Sequence, residues 1–187
     1  MGRLDLAFTV RPVDLDETPR PGEEPGAYVL RLAREKAAAR AGISELILAA
    51  DTTVVLDGDI LGKPEDIEDA RRMLGRIAGR EHTVLTGVAL HERREGQVRE
   101  AATVASSQVR MAAMSEREIA WYAATGEPLD KAGSYAVQGL GALFVEEVFG
   151  NHTNVVGLPL PATYRLFAEL GYDLRDFRRA AVSIPRT

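Results

Sequence analysis

Between Leu46 and Pro64 the chain reads LILAADTTVVLDGDILGKP, and Asp51 is the residue in it that demands a chemical explanation. Two apolar runs, Leu46 to Ala50 and Val54 to Leu56, flank Asp51-Thr52-Thr53, so a carboxylate is carried by what otherwise reads as a buried strand. An unpaired carboxylate in that setting is costly, and it acquires a partner, a metal or a raised pKa. Asp57-Gly58 supplies the two residues of a tight hairpin turn, and Gly62-Lys63-Pro64 follows the return strand, which directs Lys63 back towards Asp51. The stretch predicts an acid and an amine folded onto each other.

Three further places carry groups able to do chemistry. Asp14, Asp16 and Glu17 precede Pro19 and Pro21 on a strand exit or loop; they read either as a solvated acidic loop or as carboxylates gathered for a hard divalent cation. Lys36 edges the apolar stripe Tyr28, Leu32, Lys36 of a helix, where it either lays its stem over the core with the amine in water or points into a site. The segment from Gly126 to Gly139 is dense in turn residues and polar groups suited to a ligand, and its glycines permit close backbone approach. His82 and His91 bracket a strand and are expected to cap its exposed ends without a role.

The elements that must position these groups follow from periodicity and punctuation. Pro25 to Ala41 predicts a helix closed by Gly42, and Pro64 to Gly79 a second, with Ile67, Ala70, Met73, Leu74 and Ile77 at helical spacing. Thr83 to Leu90 and Val98 to about Arg110 read as paired strands joined by the charged turn Arg93 to Gly96. Ser115 to Glu118 is a capping box that opens a helix through Trp121 and Tyr122, with both aromatics expected in the core. Leu143 to Phe149 reads as a strand, Asn151 to Pro161 as a loop, Ala162 to Leu170 as a helix, and about 177–187 as a frayed tail. Leu4 to Val10 is a short candidate strand.

Strands and helices interleave irregularly with hairpins among them, so an α/β fold around a mixed sheet is expected, as one domain or two small lobes sharing that sheet. The 187 residues, 45% hydrophobic and 27% charged, suffice for a real core. A net charge of -5 disfavours nucleic acid polymers as partners but not a phosphorylated small molecule in a local basic pocket. The sequence has no cysteine, which excludes disulfides and thiolate chemistry, and no apolar run long enough to cross a bilayer, so a cytoplasmic protein is expected. Walker loops, G-x-G-x-x-G, nucleophile elbows and zinc spacings are absent.

The order of segments is more specific than any one of them. Asp14-Leu15-Asp16-Glu17, Arg34-Glu35-Lys36-Ala37, Ala50-Asp51-Thr52, Leu61-Gly62-Lys63-Pro64, Leu85-Thr86-Gly87, Thr125-Gly126-Glu127-Pro128 through Gly139, and Asn154-Val155-Val156-Gly157-Leu158-Pro159-Leu160 together resemble the Maf family of nucleoside triphosphate pyrophosphatases over nearly the whole chain. The resemblance implies an elongated mixed sheet flanked by helices, similar to that of the inosine triphosphate pyrophosphatases, and a homodimer. It implies hydrolysis of a nucleoside triphosphate to the monophosphate and pyrophosphate with a divalent cation, Mg2+ or Mn2+. Residue by residue, Asp51 matches the family's proton acceptor, Glu17 its acidic partner (so Glu17 and Asp51 are the expected metal ligands), and Lys36 and Lys63 its phosphate-binding lysines. Thr52 and Gln138 match positions linked to base choice. The pairing of Asp-Thr with Tyr-Ala-Val-Gln-Gly resembles the branch acting on dTTP and UTP, with modified uridine triphosphates as further candidates.

The resemblance begins at Phe8-Thr9-Val10. Ahead of that point family members carry a strand, a Ser-x-Ser-Pro-Arg-Arg loop and a helix that the 187 residues do not contain. Two expectations stand side by side: a dTTP/UTP pyrophosphatase, or a catalytically impaired relative that binds nucleotides or other proteins.

Overall fold

The computed structural model describes residues 5–40, 45–94 and 96–178. Its centre is a five-stranded sheet in the order β2-β1-β3-β4-β5, with β1 Glu45–Leu56, β2 Asp59–Leu61, β3 Glu81–Arg94, β4 Gln97–Met111 and β5 Val145–Phe149. Helices α1 (Pro25–Arg40), α2 (Ile67–Ile77), α3 (Glu116–Ala124), α4 (His152–Val155) and α5 (Leu160–Glu169) flank it. The α/β class with a central sheet between helices is as expected. The pairing is narrower than the expected mixed sheet: every strand pair among the described residues is antiparallel, because hairpins join β1 to β2 and β3 to β4, and β3 returns beside β1.

Local chemistry accounts for the joints. Asp57 and Gly58 both have positive φ, as the two-residue hairpin between β1 and β2 requires. Ser115 accepts from the Glu118 backbone while the Glu118 side chain accepts from the Ser115 backbone, which completes the capping box opening α3. Asp66 caps α2 by accepting from Asp69 N. Residues 5–13 make one isolated bridge, Leu6 to Arg178, in place of the strand expected at Leu4 to Val10, of which Leu4 lies outside the described residues. The expected loop after Asn151 contains α4, capped by the Asn151 side chain. Gly42 and the tail beyond Arg178 lie outside the described residues.

The alternation along β1 and β3 divides the core. One face carries Ile47, Ala49 and Leu85 against Val29, Leu32, Ala33 and Ala37 of α1. The opposite face holds two clusters. Leu46, Leu48, Val88 and Leu90 pack with Leu166 and Phe167 of α5, whereas Val54, Leu56 and Val84 pack with Leu74, Ile77 and Tyr122 of α2 and α3. Between the two clusters stands the cross-strand pair Thr52 and Thr86. On the α1 face the same level is occupied by Asp51 and Thr53. The sheet is therefore apolar along most of its length and polar at one level on both faces. Pairing of β1 with β2 covers only Val54 to Leu56.

Candidate active site

At that polar level lies a cavity of about 310 Å³, lined from β1 by Asp51, Thr52 and Thr53, from α1 by Tyr28 and Lys36, and from the loops by Glu17, Lys63, Asp130, Lys131 and Val155 to Gly157. Its charged lining consists of three carboxylates, Glu17, Asp51 and Asp130, and three ammonium groups, Lys36, Lys63 and Lys131. Such a volume is within the range of small-ligand sites, and the charge pattern suits an anion that brings its own cation.

Helix α1 reaches Asp51 because residue 87, opposite it on β3, is glycine. A Cβ there would fall under 3.0 Å from the Val29 carbonyl, so the helix backbone rests directly on the strand. Two turns further along, Lys36 Nζ donates to Asp51 Oδ1 at 2.6 Å and pairs with Glu17 Oε1 at 2.6 Å. The same helix holds the acidic loop in place. Tyr28 Oη donates to the Glu17 carbonyl at 2.9 Å, and Arg31 forks onto Glu23 at 2.6 and 2.7 Å and reaches the Thr18 carbonyl. That pairing holds the Glu23 carboxyl down at about 2. Asp16 turns to its own loop, accepting from Thr18 N, and neither it nor Asp14 lines the cavity. Of the three acids in the loop, Glu17 alone is delivered to the site.

Asp51 is 9% exposed, and burial raises its pKa above the ordinary carboxylate value, with the Glu17 charge adding to the rise. The hydrogen bond and charge of Lys36, then Lys63, oppose the rise without cancelling it. Burial alone would lower the Lys36 amine, but its bonds to Asp51 and Glu17 hold it above the usual lysine value. The pair is a charged contact with the carboxylate poised towards proton acceptance. Lys63 is exposed, follows β2 and lines the cavity, so the hairpin does return an amine to the acid. Gly133 N donates to the Gly62 carbonyl at 3.0 Å, which ties the Asp130 to Tyr135 segment to the Lys63 loop.

Five of the six expected site residues, Glu17, Lys36, Asp51, Thr52 and Lys63, line this one cavity. Gln138 does not: it is exposed on an arc whose ends are fixed elsewhere. Ala136 N donates to Tyr122 Oη at one end, and Leu140 N and Gly141 N donate to the Glu127 carboxylate at the other, while Tyr122 Oη donates to Glu127 at 2.8 Å. Tyr122 is thus core as expected, whereas Trp121 is 48% exposed. The histidines are a correction. His82 and His91 are 4% and 5% exposed, not exposed caps, because β3 runs from Glu81 to Arg94 and carries both inside the sheet. His82 Nε2 meets Tyr135 Oη at 2.8 Å, and burial pushes its pKa down to about 4.

Sequence reasoning missed Tyr28 and Arg31 as anchors of the acidic loop, Asp130 and Lys131 as lining residues, and Thr86 and Asn154 behind Thr52. The spacing of Tyr28, Arg31 and Lys36 on one helix was a usable signal for the first two. The contact between Thr52 and Thr86 depends on strand register, which no local pattern fixes.

The profile of the family described as Maf-like protein matches residues 1–170. A protein named dTTP/UTP pyrophosphatase from Anaeromyxobacter dehalogenans (strain 2CP-C) is 53% identical over 93% of this chain and 89% of its own length. Proteins of the same name from Myxococcus xanthus (strain DK1622) and Shewanella sp. (strain MR-7) are 49% and 46% identical, over 93% and 91% of this chain and 87% and 89% of their own.

Proposed function

The chain belongs to the Maf-like protein family, and on that premise we propose that it hydrolyses dTTP and UTP to the monophosphate and pyrophosphate. The observation that carries the reading is the meeting of Asp51, Glu17 and Lys36 at the wall of one cavity that Lys63 also lines. Asp51 is the general base. It accepts a proton from water as the water oxygen bonds to the α-phosphorus. The bond from that phosphorus to the bridging oxygen breaks, and its electron pair leaves with pyrophosphate. A base poised above the usual carboxylate range suits the task better than an ordinary aspartate. Lys36 and Lys63 oppose the negative charge of the triphosphate as the bond breaks.

The donor set also fits a divalent cation. Two carboxylates converge on one ammonium at 2.6 Å each, so the site already accommodates a positive charge between them. A Mg2+ or Mn2+ ion bound with a nucleotide needs only one or two protein carboxylates, the rest of its shell being phosphate oxygens and water. Glu17 and Asp51 would hold it. When bound, such an ion neutralises triphosphate charge as a Lewis acid. Among the described residues no group of three or more His, Asp or Glu forms an all-protein metal cage, at this site or at any other. Of the two positions the resemblance ties to the base, Thr52 lines the cavity and Gln138 does not, so the reading rests base recognition on Thr52.

The reading extends to a cytoplasmic homodimer, which light scattering on the purified protein would test for its oligomeric part. No helix among the described residues is long and apolar enough to cross a membrane. The test of function is product analysis with UTP or dTTP and Mg2+. UMP or dTMP with pyrophosphate is the expected outcome. Nucleoside diphosphate with phosphate overturns the proposed cleavage position, and nucleotide binding without release points instead to the non-catalytic module.

A further inference from the structure

Behind Thr52 the hydrogen bonds run in one direction. Thr86, fully buried on β3, lies 3.1 Å from the Asn154 carbonyl and 2.9 Å from the Thr52 hydroxyl. A carbonyl oxygen only accepts, and a hydroxyl has one proton to give. Thr86 therefore gives its proton to Asn154, and the proton between the two threonines comes from Thr52. The reverse arrangement would set Thr86 lone pairs against the carbonyl at 3.1 Å. The carbonyl is itself fixed: it accepts Gly157 N at 2.9 Å, and the Asn154 side chain donates to the Val84 carbonyl and to Ser107 Oγ. With its proton committed to Thr86, the Thr52 oxygen presents only lone pairs to the cavity.

The wall around that oxygen carries no charge. Gly157 stands beside it, a Cβ there falling 3.6 Å from Thr52 Oγ1, and Val84, Val155 and Val156 complete the lining on this side. Asp51, next to Thr52 on β1, faces α1 on the other side of the strand, and the remaining charged groups of the cavity belong to other elements, so the Thr52 wall suits the planar base of a nucleotide and the ammonium groups its phosphates.

We infer that Thr86 holds the Thr52 hydroxyl as a pure acceptor and that this polarity selects bases presenting a ring N–H, the imide of uracil or thymine, over cytosine, whose corresponding nitrogen is an acceptor. The inference rests on the proposed nucleotide hydrolysis and makes Thr86 a positioning residue, acting through Thr52 without touching substrate. A hydroxyl free to rotate would donate to cytosine and accept from uracil alike, and discrimination at this atom would be lost.

The test compares kcat/KM for UTP and CTP, with Mg2+, in the wild-type chain, Thr86→Val and Thr86→Ser. Valine frees the Thr52 proton, and the UTP-to-CTP ratio is expected to fall by about tenfold or more; serine restores the relay and keeps the ratio within about twofold of wild type. A general loosening of the sheet would lower both rates together and leave the ratio unmoved. A second measurement needs no variant: UTP methylated at N3 has lost the donor, and the wild-type protein is expected to turn it over no better than CTP. An unchanged ratio in Thr86→Val, a collapsed ratio in Thr86→Ser, or turnover of the N3-methyl analogue at the UTP rate each overturns the inference. Failure of wild-type protein to cleave UTP at all would remove the proposed function itself, an outcome distinct from an unchanged ratio in an active enzyme.

Discussion

Lys36→Met removes the one positive charge that Asp51 and Glu17 share, while methionine keeps the apolar stem that packs along α1. Each carboxylate oxygen lies 2.6 Å from the ammonium, so without it the two face each other across no more than twice that distance. At about 5 Å and an effective dielectric of about 20 the repulsion is roughly 3 kcal/mol. The Glu17 side chain is 43% exposed, and solvent screening cuts this term to about 1–2 kcal/mol. Loss of the partner of buried Asp51 adds to it, for a total of about 3–5 kcal/mol with both acids ionised. The penalty is pH-dependent, and its sign follows from linkage. Asp51 already has a raised pKa, and the variant raises it further, so protonation favours the native state. Stability is retained below the unfolded carboxylate value of about 4 and lost as pH rises through the folded value. Urea denaturation in chelator at pH 5 and pH 8 is the assay. Lys36→Met should unfold much nearer wild type at pH 5 than at pH 8, with m unchanged. A deficit of equal size at both pH values would refute the charge argument and leave only a packing effect.

Gly87→Ala puts a methyl group against the Val29 carbonyl and should cost about 1–3 kcal/mol in urea denaturation, with a larger proportional loss of turnover because α1 carries Lys36. His82 makes the acid side of the stability profile steeper. Its pKa is about 4 folded against about 6.5 unfolded, so stability is full above pH 6.5 and falls towards pH 4 by up to about 3 kcal/mol, a slope that His82→Gln should reduce when denaturation midpoints are compared across that window.

Local chemistry was legible in the sequence wherever one segment decides the outcome. The Asp57-Gly58 turn, the Ser115 capping box and the α1 stripe ending at Lys36 formed as read, because each depends on residues within a turn or two. Asp51 announced itself by being a carboxylate in an apolar strand, and the Asp57-Gly58 hairpin turned Lys63 towards it, whereas Glu17 and Lys36 were placed by the family resemblance. The rest turned on register and strand length. His82 and His91 were misread as exposed because the pairing of β3 with β4 runs from Glu81 opposite Arg110 to Arg94 opposite Gln97, past both ends of the apolar run that marked the strand. Asn151-His152-Thr153-Asn154 lacks strong helix formers, yet it folds into α4 around the Asn151 cap and the buried Asn154 amide, which bonds across to β3 and β4. The separation of Gln138 from the cavity likewise follows from Glu127 and Tyr122, residues distant in sequence from the glutamine they hold.

The role proposed for Asp51 is that of proton acceptor in a nucleoside triphosphate pyrophosphohydrolase. Asp51→Asn keeps the shape and a hydrogen-bonding oxygen for Lys36 but cannot take a proton from water. Pyrophosphate release from UTP with saturating Mg2+, measured for both proteins after their folding has been matched by circular dichroism, is the most direct test. With Asp51 in that role, Asp51→Asn is expected to lose at least about 10²-fold in kcat. Turnover by Asp51→Asn within a few-fold of wild type would contradict it.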